Sequence, residues 1–286
     1  MKRREDGKEK SMKFTKMQGA GNDYVYVNCF EETVEDPKST AILVSDRHFG
    51  IGSDGLILIC PSDKADCRMR IFNADGSEGE MCGNAIRCVG KYVYEHGIVS
   101  KKSLQVETLG GVKTLELKEE NGKIVQVTVD MGEPKLTSKL PEPILIEGKS
   151  LEFVGISVGN PHAVYICDDI DHLDLECIGP AYENHSRFPN RVNSEFVQIM
   201  DRSHIRMRVW ERGSNETWAC GTGATASVVA CILLGYTDDT VEVALRGGNL
   251  TIHWDREKNR AYMTGEAVEV FWGEILLDNP MEILYK

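Results

Sequence analysis

Along most of the chain, apolar positions alternate with polar ones or gather in short apolar runs bounded by Gly, Asn and Asp, the pattern of β-strands. KFTKM, YVYVNC, GLILIC, CRMRIFN, LQVETL, VKTLELK and IVQVTVD are rich in branched or aromatic side chains and read as antiparallel sheet. Four segments break the pattern. DPKSTAILVSDRHFG has Pro near its start and Gly beyond its end, as a helix would, and HLDLECIGPAYENH is its shorter, Pro-interrupted counterpart. GNAIRCVGKYVYEHG and GTGATASVVACILLGY predict helices stopping at Gly97 and near Gly235. The last is apolar or small around its whole circumference, so it is expected to be buried on every side, within a sheet curled around it.

The elements repeat. RMRIFNADGSEGEMCGN and RMRVWERGSNETWACGT place Cys82 and Cys220 at one offset (220 − 82 = 138), and GNDYVYVNC and GNPHAVYIC repeat it (159 − 21 = 138). LGGVKTLEL and RGGNLTIHW match at 137 (246 − 109 = 137), one deletion later. An offset held through several strands and a helix implies duplication of a whole folding unit. The fold class expected is α+β: two pseudo-symmetric duplicated domains, each a strand-rich curled sheet around a central buried helix. The bounds expected are 12–134 and 149–273, with KLPEPILIEGKS as connector and the tail 274–286 joining the first domain. MKRREDGKEKS, residues 1–11, is charged and read as a disordered extension.

Composition narrows the function. With 41% hydrophobic and 27% charged residues the chain reads as globular, and its net charge of −12 argues against nucleic acid and anionic membrane as partners. No apolar run has the length of a membrane span and the start lacks the core of a signal peptide, so a cytoplasmic location is expected. Nine cysteines at no framework spacing suggest reduced thiols, and the absence of Cys-x-x-Cys speaks against zinc. GIGSDG matches a dinucleotide-binding pattern, but a strand follows it where a helix is needed.

The candidate chemistry lies at the starts of the two matched helices. Free N–H groups and the helix dipole favour anions there, and the same field is expected to lower the pKa of a thiol. Cys82 and Cys220 each precede a glycine at such a start. Two acid/base groups beside carboxylate cradles, aimed at one another by pseudo-twofold symmetry, suit transfer of a proton from one face of an α-carbon to the other. Asn73 in the first copy answers to Glu211, followed by Arg212, in the second, an asymmetry suited to a zwitterion; His162 replaces Tyr24 and is placed to tune a thiol. Cys29, Cys60, Cys67, Cys88, Cys167, Cys177 and Cys231 are assigned to core packing. From the residues alone, a racemase of another amino acid, a dithiol redox protein and a non-catalytic binding protein remain open.

MQGAGNDYVYVN, FNADGSEGEMCGNAIRC, GNPHAV, RVNSEF and ERGSNETWACGTGA, in that order, resemble the signature stretches of the diaminopimelate epimerases, and the similarity runs over nearly the whole chain after Met12. The resemblance implies cofactor-independent interconversion of LL- and meso-diaminopimelate by two thiols, in lysine and peptidoglycan precursor synthesis, with no metal. It makes Cys82 and Cys220 the acid/base pair. Gly83, Asn84, Gly221 and Thr222 would surround the α-carboxylate; Asn22, Asn73, Asn160, Asn193, Glu211 and Arg212 would hold the amino groups and distal end. His162 and Glu211 would tune the thiols, and the partners implied are the small-molecule substrate and a second copy in a homodimer. The chain departs from the family at Gly55, where many members carry Gln, at GSNET, and in the bulky Trp210 and Trp218.

Overall fold

The computed structural model describes residues 11–277. The chain divides into two compact units, one of residues up to Thr114 together with those from Ala267, the other Leu115–Glu266. The first contains β1 (Ser11–Gly19), β2 (Asn22–Asn28), α1 (Pro37–Ser45), β3 (Gly55–Cys60), β4 (Cys67–Asn73), β5 (Glu78–Gly79), α2 (Gly83–Glu95) and β6 (Ser103–Thr108); β7 (Gly111–Glu120) spans the division. The second contains β8 (Lys123–Gly132), β9 (Lys135–Leu136), β10 (Glu142–Ile146), β11 (Lys149–Ser157), β12 (Pro161–Ile166), α3 (Leu175–Glu183), β13 (Asn193–Ile199), β14 (His204–Glu211), β15 (Asn215–Thr217), α4 (Gly221–Leu233), β16 (Thr240–Leu245), β17 (Gly248–Asp255) and β18 (Arg260–Gly265). β19 (Val268–Leu276) belongs to the first unit.

The duplication extends to the helices. α3 starts 138 residues after α1 (175 − 37 = 138) and α4 starts 138 after α2 (221 − 83 = 138), each pair with equal lengths. Pro180 does not interrupt α3, which continues to Glu183. In the first unit β1 pairs antiparallel with β19 and β2, β2 runs parallel to β3, and β3 pairs antiparallel with β4, which runs parallel to β6. The second unit repeats this from β11 through β12, β13, β14 and β16 to β17 and β18. The sheets are therefore mixed rather than purely antiparallel, because a helix carries the chain between each pair of parallel strands.

α4 packs against β11, β12, β13, β14, β16, β17 and β18, so the sheet does curl around it. Its small side chains allow this, and its hydroxyls stay inside: Thr225 donates to Gly221 O at 2.9 Å and Ser227 to the Met207 sulfur at 3.2 Å. α2 lies against β1, β2 and β6, with Arg87 wholly buried on Gly83 O (3.2 Å) and Asn84 Oδ1 (3.1 Å). On the other face, α1 and α3 are N-capped by Asp36 and Asp174, whose carboxylates accept from Ser39 N and Cys177 N at 3.2 Å.

Several bounds differ from the sequence expectation. The division comes at 114/115 instead of within 135–148, because β8 pairs with β18 and so belongs to the second unit. Within the expected connector, Glu142–Ile146 forms β10 against β11 and buries Ile144 and Ile146. The return to β1 begins at Val268 rather than 274, and Ser11, assigned to the extension, opens β1; residues 1–10 and 278–286 lie outside the described residues. Of the cysteines assigned to core packing, Cys67, Cys88 and Cys231 are buried, Cys29, Cys60 and Cys167 are half-buried, and Cys177 is exposed.

Candidate active site

Each unit carries its own constellation at the start of its central helix. Cys82 N-caps α2 in an extended conformation (φ −133°, ψ 121°). Its thiol donates to Asn22 Oδ1 at 3.2 Å, and Asn22 Nδ2 donates to Asp54 Oδ2 at 2.8 Å, an oxygen that also accepts from Asp23 N at 3.1 Å. Asn22 opens β2 and Asp54 precedes β3, so the parallel pairing of these strands brings the carboxylate to the amide. Burial and the neighbouring Asp23 charge raise the Asp54 pKa, opposed by the hydrogen bonds and by Arg47, which lies 3.3 Å from both carboxylates. The buried Lys16 ammonium holds Asp23 from the other side.

Gly83 and Asn84 follow Cys82 as the buried first residues of α2. Asn73 is placed differently: it is exposed at the end of β4 and donates to Ser77 Oγ at 3.0 Å. Gly55, opposite Asn73, is demanded by packing, since a Cβ there would lie 2.1 Å from Phe72 O and 2.9 Å from the Tyr24 ring.

Cys220 N-caps α4 (φ −120°, ψ 110°) and is buried. Its sulfur accepts from Gly223 N at 3.4 Å and lies 3.5 Å from Thr222 Oγ1. Thr222 Oγ1 accepts from Asn160 Nδ2 at 3.2 Å, Asn160 Oδ1 is 2.9 Å from His162 Nε2, and His162 Nδ1 is 2.6 Å from Glu195 Oε1. A continuous polar chain thus runs from Glu195 to the thiol. Glu211 stands against the same thiol: burial raises its pKa, while hydrogen bonds from Thr217 and Cys220 oppose the rise. Asn193 accepts from Arg212 N at 2.8 Å, fixing the turn after Glu211, and the exposed Arg212 guanidinium reaches Asn190 O at 3.2 Å. Gly221 is buried at the first position of α4.

At Cys220 the expected lowering of the thiol pKa is overturned. Burial raises it well above the ordinary value, the Glu211 and Glu195 charges add to the rise, and the bonds from Thr222 and Gly223 offset only part. The helix field is outweighed by loss of solvent and two nearby carboxylates.

The constellations gather Asn22, Cys82, Gly83 and Asn84 in one unit and Asn160, His162, Asn193, Glu211, Arg212, Cys220, Gly221 and Thr222 in the other. Sequence reasoning missed Asp54, Thr217 and Glu195. Glu195 carried a signal, because its counterpart 138 residues earlier is Ile57 in a buried strand, and an acid exchanged for an aliphatic there requires a partner. The bulky Trp210 packs in the hydrophobic cluster beside α3 and donates to Glu183 at 2.8 Å. Trp218 is exposed.

A sequence model of the diaminopimelate epimerases matches residues 14–137 and 154–270, one stretch for each half of the duplication. The chain belongs to the diaminopimelate epimerase family. Among curated relatives of that name, the one from Agathobacter rectalis is 56% identical over 282 residues, covering 92% of this chain and 99% of the relative. That from Acetivibrio thermocellus is 55% identical, covering 93% and 99%, and that from Methanococcus maripaludis 51%, covering 92% and 99%. Among solved structures, a hydroxyproline epimerase from Agrobacterium vitis superposes with a TM-score of 0.74 at 16% identity, covering 95% of this chain and 94% of that one. A Bacillus anthracis phenazine biosynthesis protein of the PhzF family gives 0.69 at 17%, covering 94% and 100%. At these identities the structures share the fold. No described helix is long and apolar enough to cross a membrane.

Proposed function

We propose that this chain epimerises LL-diaminopimelate to meso-diaminopimelate without a cofactor, on the route to lysine and peptidoglycan precursors, with Cys82 and Cys220 as its two acid/base groups. The observation that carries the reading is the placement of these thiols as N-caps of α2 and α4, the matched helices of a duplicated chain in this family. In one direction a thiolate takes the α-proton and the other thiol delivers its own to the opposite face, which inverts the carbon and exchanges the roles of the sulfurs. Burial and the nearby carboxylates raise the pKa of Cys220, which favours its protonated, proton-donating form. Gly83, Asn84, Gly221 and Thr222 offer helix N–H groups to the α-carboxylate, where they stabilise charge that grows as the proton leaves.

His162 and Glu211 tune Cys220, and Asn22, Asn73, Asn160, Asn193, Glu211 and Arg212 hold the amino groups and distal end of the substrate. The enzyme works in the cytoplasm as a homodimer. Turnover of LL-diaminopimelate compared with a panel of single amino acids tests the reading. Activity on diaminopimelate alone supports it, and preference for another amino acid replaces it with a related racemase.

A further inference from the structure

Cys29 and Cys60 take no part in the reaction proposed above, yet they form a pair. Cys29 follows β2 and Cys60 ends β3. The two strands run parallel with Asn28 opposite Ile59, and Cys29 N donates to Ile59 O at 2.8 Å, so the cysteines occupy the next rung of the same ladder. Neighbouring strands lie about 4.8 Å apart. That spacing falls within the Cα separation of roughly 4.4–6.8 Å that a disulfide bridges.

Both side chains leave the same face of the sheet. Val25 and Val27 precede Cys29 at alternate positions, as Leu56 and Leu58 precede Cys60, and all of these pack in one cluster whose partly buried members include both cysteines. The strand register and the shared cluster bring the two thiols side by side on that face. The neighbouring Cys29 thiol draws Cys60 below the ordinary thiol value, with the Arg70 and Arg68 charges pulling the same way against burial, while Cys29 is raised. A thiol whose ionisation is eased, standing beside a second, resolving thiol, is the arrangement that thiol–disulfide exchange uses.

We propose that Cys29 and Cys60 form a redox site that a low-molecular-weight disulfide closes to an intramolecular bond, distinct from the cysteines that cap α2 and α4. The Cys60 thiolate attacks one sulfur of the small disulfide, breaking its S–S bond and releasing one small thiol. Cys29, giving its proton to solvent, then attacks the Cys60 sulfur of the mixed disulfide and releases the second. The protein loses two electrons and two protons, and the small disulfide is reduced to two thiols. Closure takes place at the far ends of β2 and β3 from Asn22 and Asp54, which stand where those strands begin.

The duplication supplies an internal control. The matching positions of the second unit are Cys167 (29 + 138 = 167) and Gln198 (60 + 138 = 198), one thiol with no resolving partner. Cys167 donates to Tyr165 O at 3.7 Å and Gln198 to Asp168 O at 2.6 Å.

The test is non-reducing tryptic mapping of the native protein after incubation with oxidised glutathione. Cleavage at Lys and Arg leaves Cys29 in the peptide 17–38 and Cys60 in 48–64, each with a single cysteine. The expected result is a linked pair of these peptides that a reductant separates, with glutathione at most singly attached to Cys167. Cys29→Ser is expected to abolish the link and leave glutathione on Cys60. Wild-type protein carrying glutathione on Cys29 or Cys60 without the link, or with both thiols unmodified while the exposed Cys177 reacts, overturns the proposal.

Discussion

His162 Nδ1 lies 2.6 Å from Glu195 Oε1, and both side chains are sealed from solvent, at 1% and 0% exposure. Glu195 Oε2 is buried without a hydrogen-bond partner among the described residues, so the imidazole is the carboxylate's main compensation. Removing the ring leaves a buried carboxyl group without its partner. His162→Ala is expected to cost about 3–5 kcal/mol in urea denaturation. Glu195→Gln, which keeps the shape but weakens the hold on the ring, is expected to lower kcat with KM little changed. A His162→Ala protein as stable as the parent would mean that the pair is not held as described.

Gly55 sits where the backbone leaves no room for a side chain. A Cβ at this position would meet Phe72 O at 2.1 Å, closer than any real contact. Gly55→Gln is therefore expected to destabilise the protein by about 1–3 kcal/mol or more, through strand displacement. Thermal unfolding checks this. An unchanged midpoint would show that β3 and β4 accommodate the side chain.

Much of the fold is legible in the sequence, because the offset of 138 residues is written in identical residues around Cys82 and Cys220 and in the Gly-Asn turns. The uniformly apolar α4 also announced its burial. The domain bounds were harder to read. Nothing in the alternating pattern of β8 says that its partner is β18, since period-two alternation marks a strand without naming its neighbour. In the site, Cys82 and Cys220 stood out by repetition, whereas Glu195 and Asp54 are single acids whose role depends on which strands lie side by side. The raised thiol pKa of Cys220 is not legible in the sequence, which displays the helix start but not the depth of burial or the nearby carboxylates.

The buried thiols carry an alkaline signature. Burial pushes Cys67 and Cys231 up to about 12 and Cys88 to about 11. In the unfolded chain a thiol ionises near pH 8.5, so above that pH the unfolded state binds fewer protons than the native state and stability falls as pH rises. The sign follows from the raised native values. Stability is expected to be insensitive to these groups below about pH 8 and to decline above about pH 8.5, by up to about 1.4 kcal/mol per pH unit for each thiol, until each folded-state value is passed. Denaturant melts across this range check it; stability rising over the interval would contradict it.

If both sulfurs carry protons in turn, neither can be replaced by a much weaker acid. Cys82→Ser and Cys220→Ser are each expected to lower kcat by about 10²–10⁴-fold while the proteins remain folded. Steady-state assays beside circular dichroism separate chemistry from folding. Near-normal turnover by either variant removes that cysteine from the mechanism.

The most direct test of the central claim follows hydrogen at the α-carbon during turnover of LL-diaminopimelate in deuterated water. Two separate thiols predict that newly formed meso product carries deuterium at the inverted carbon, while LL substrate recovered early in the reaction carries little. Inverted product that keeps its original hydrogen, or no exchange by fully reduced enzyme, would contradict the account.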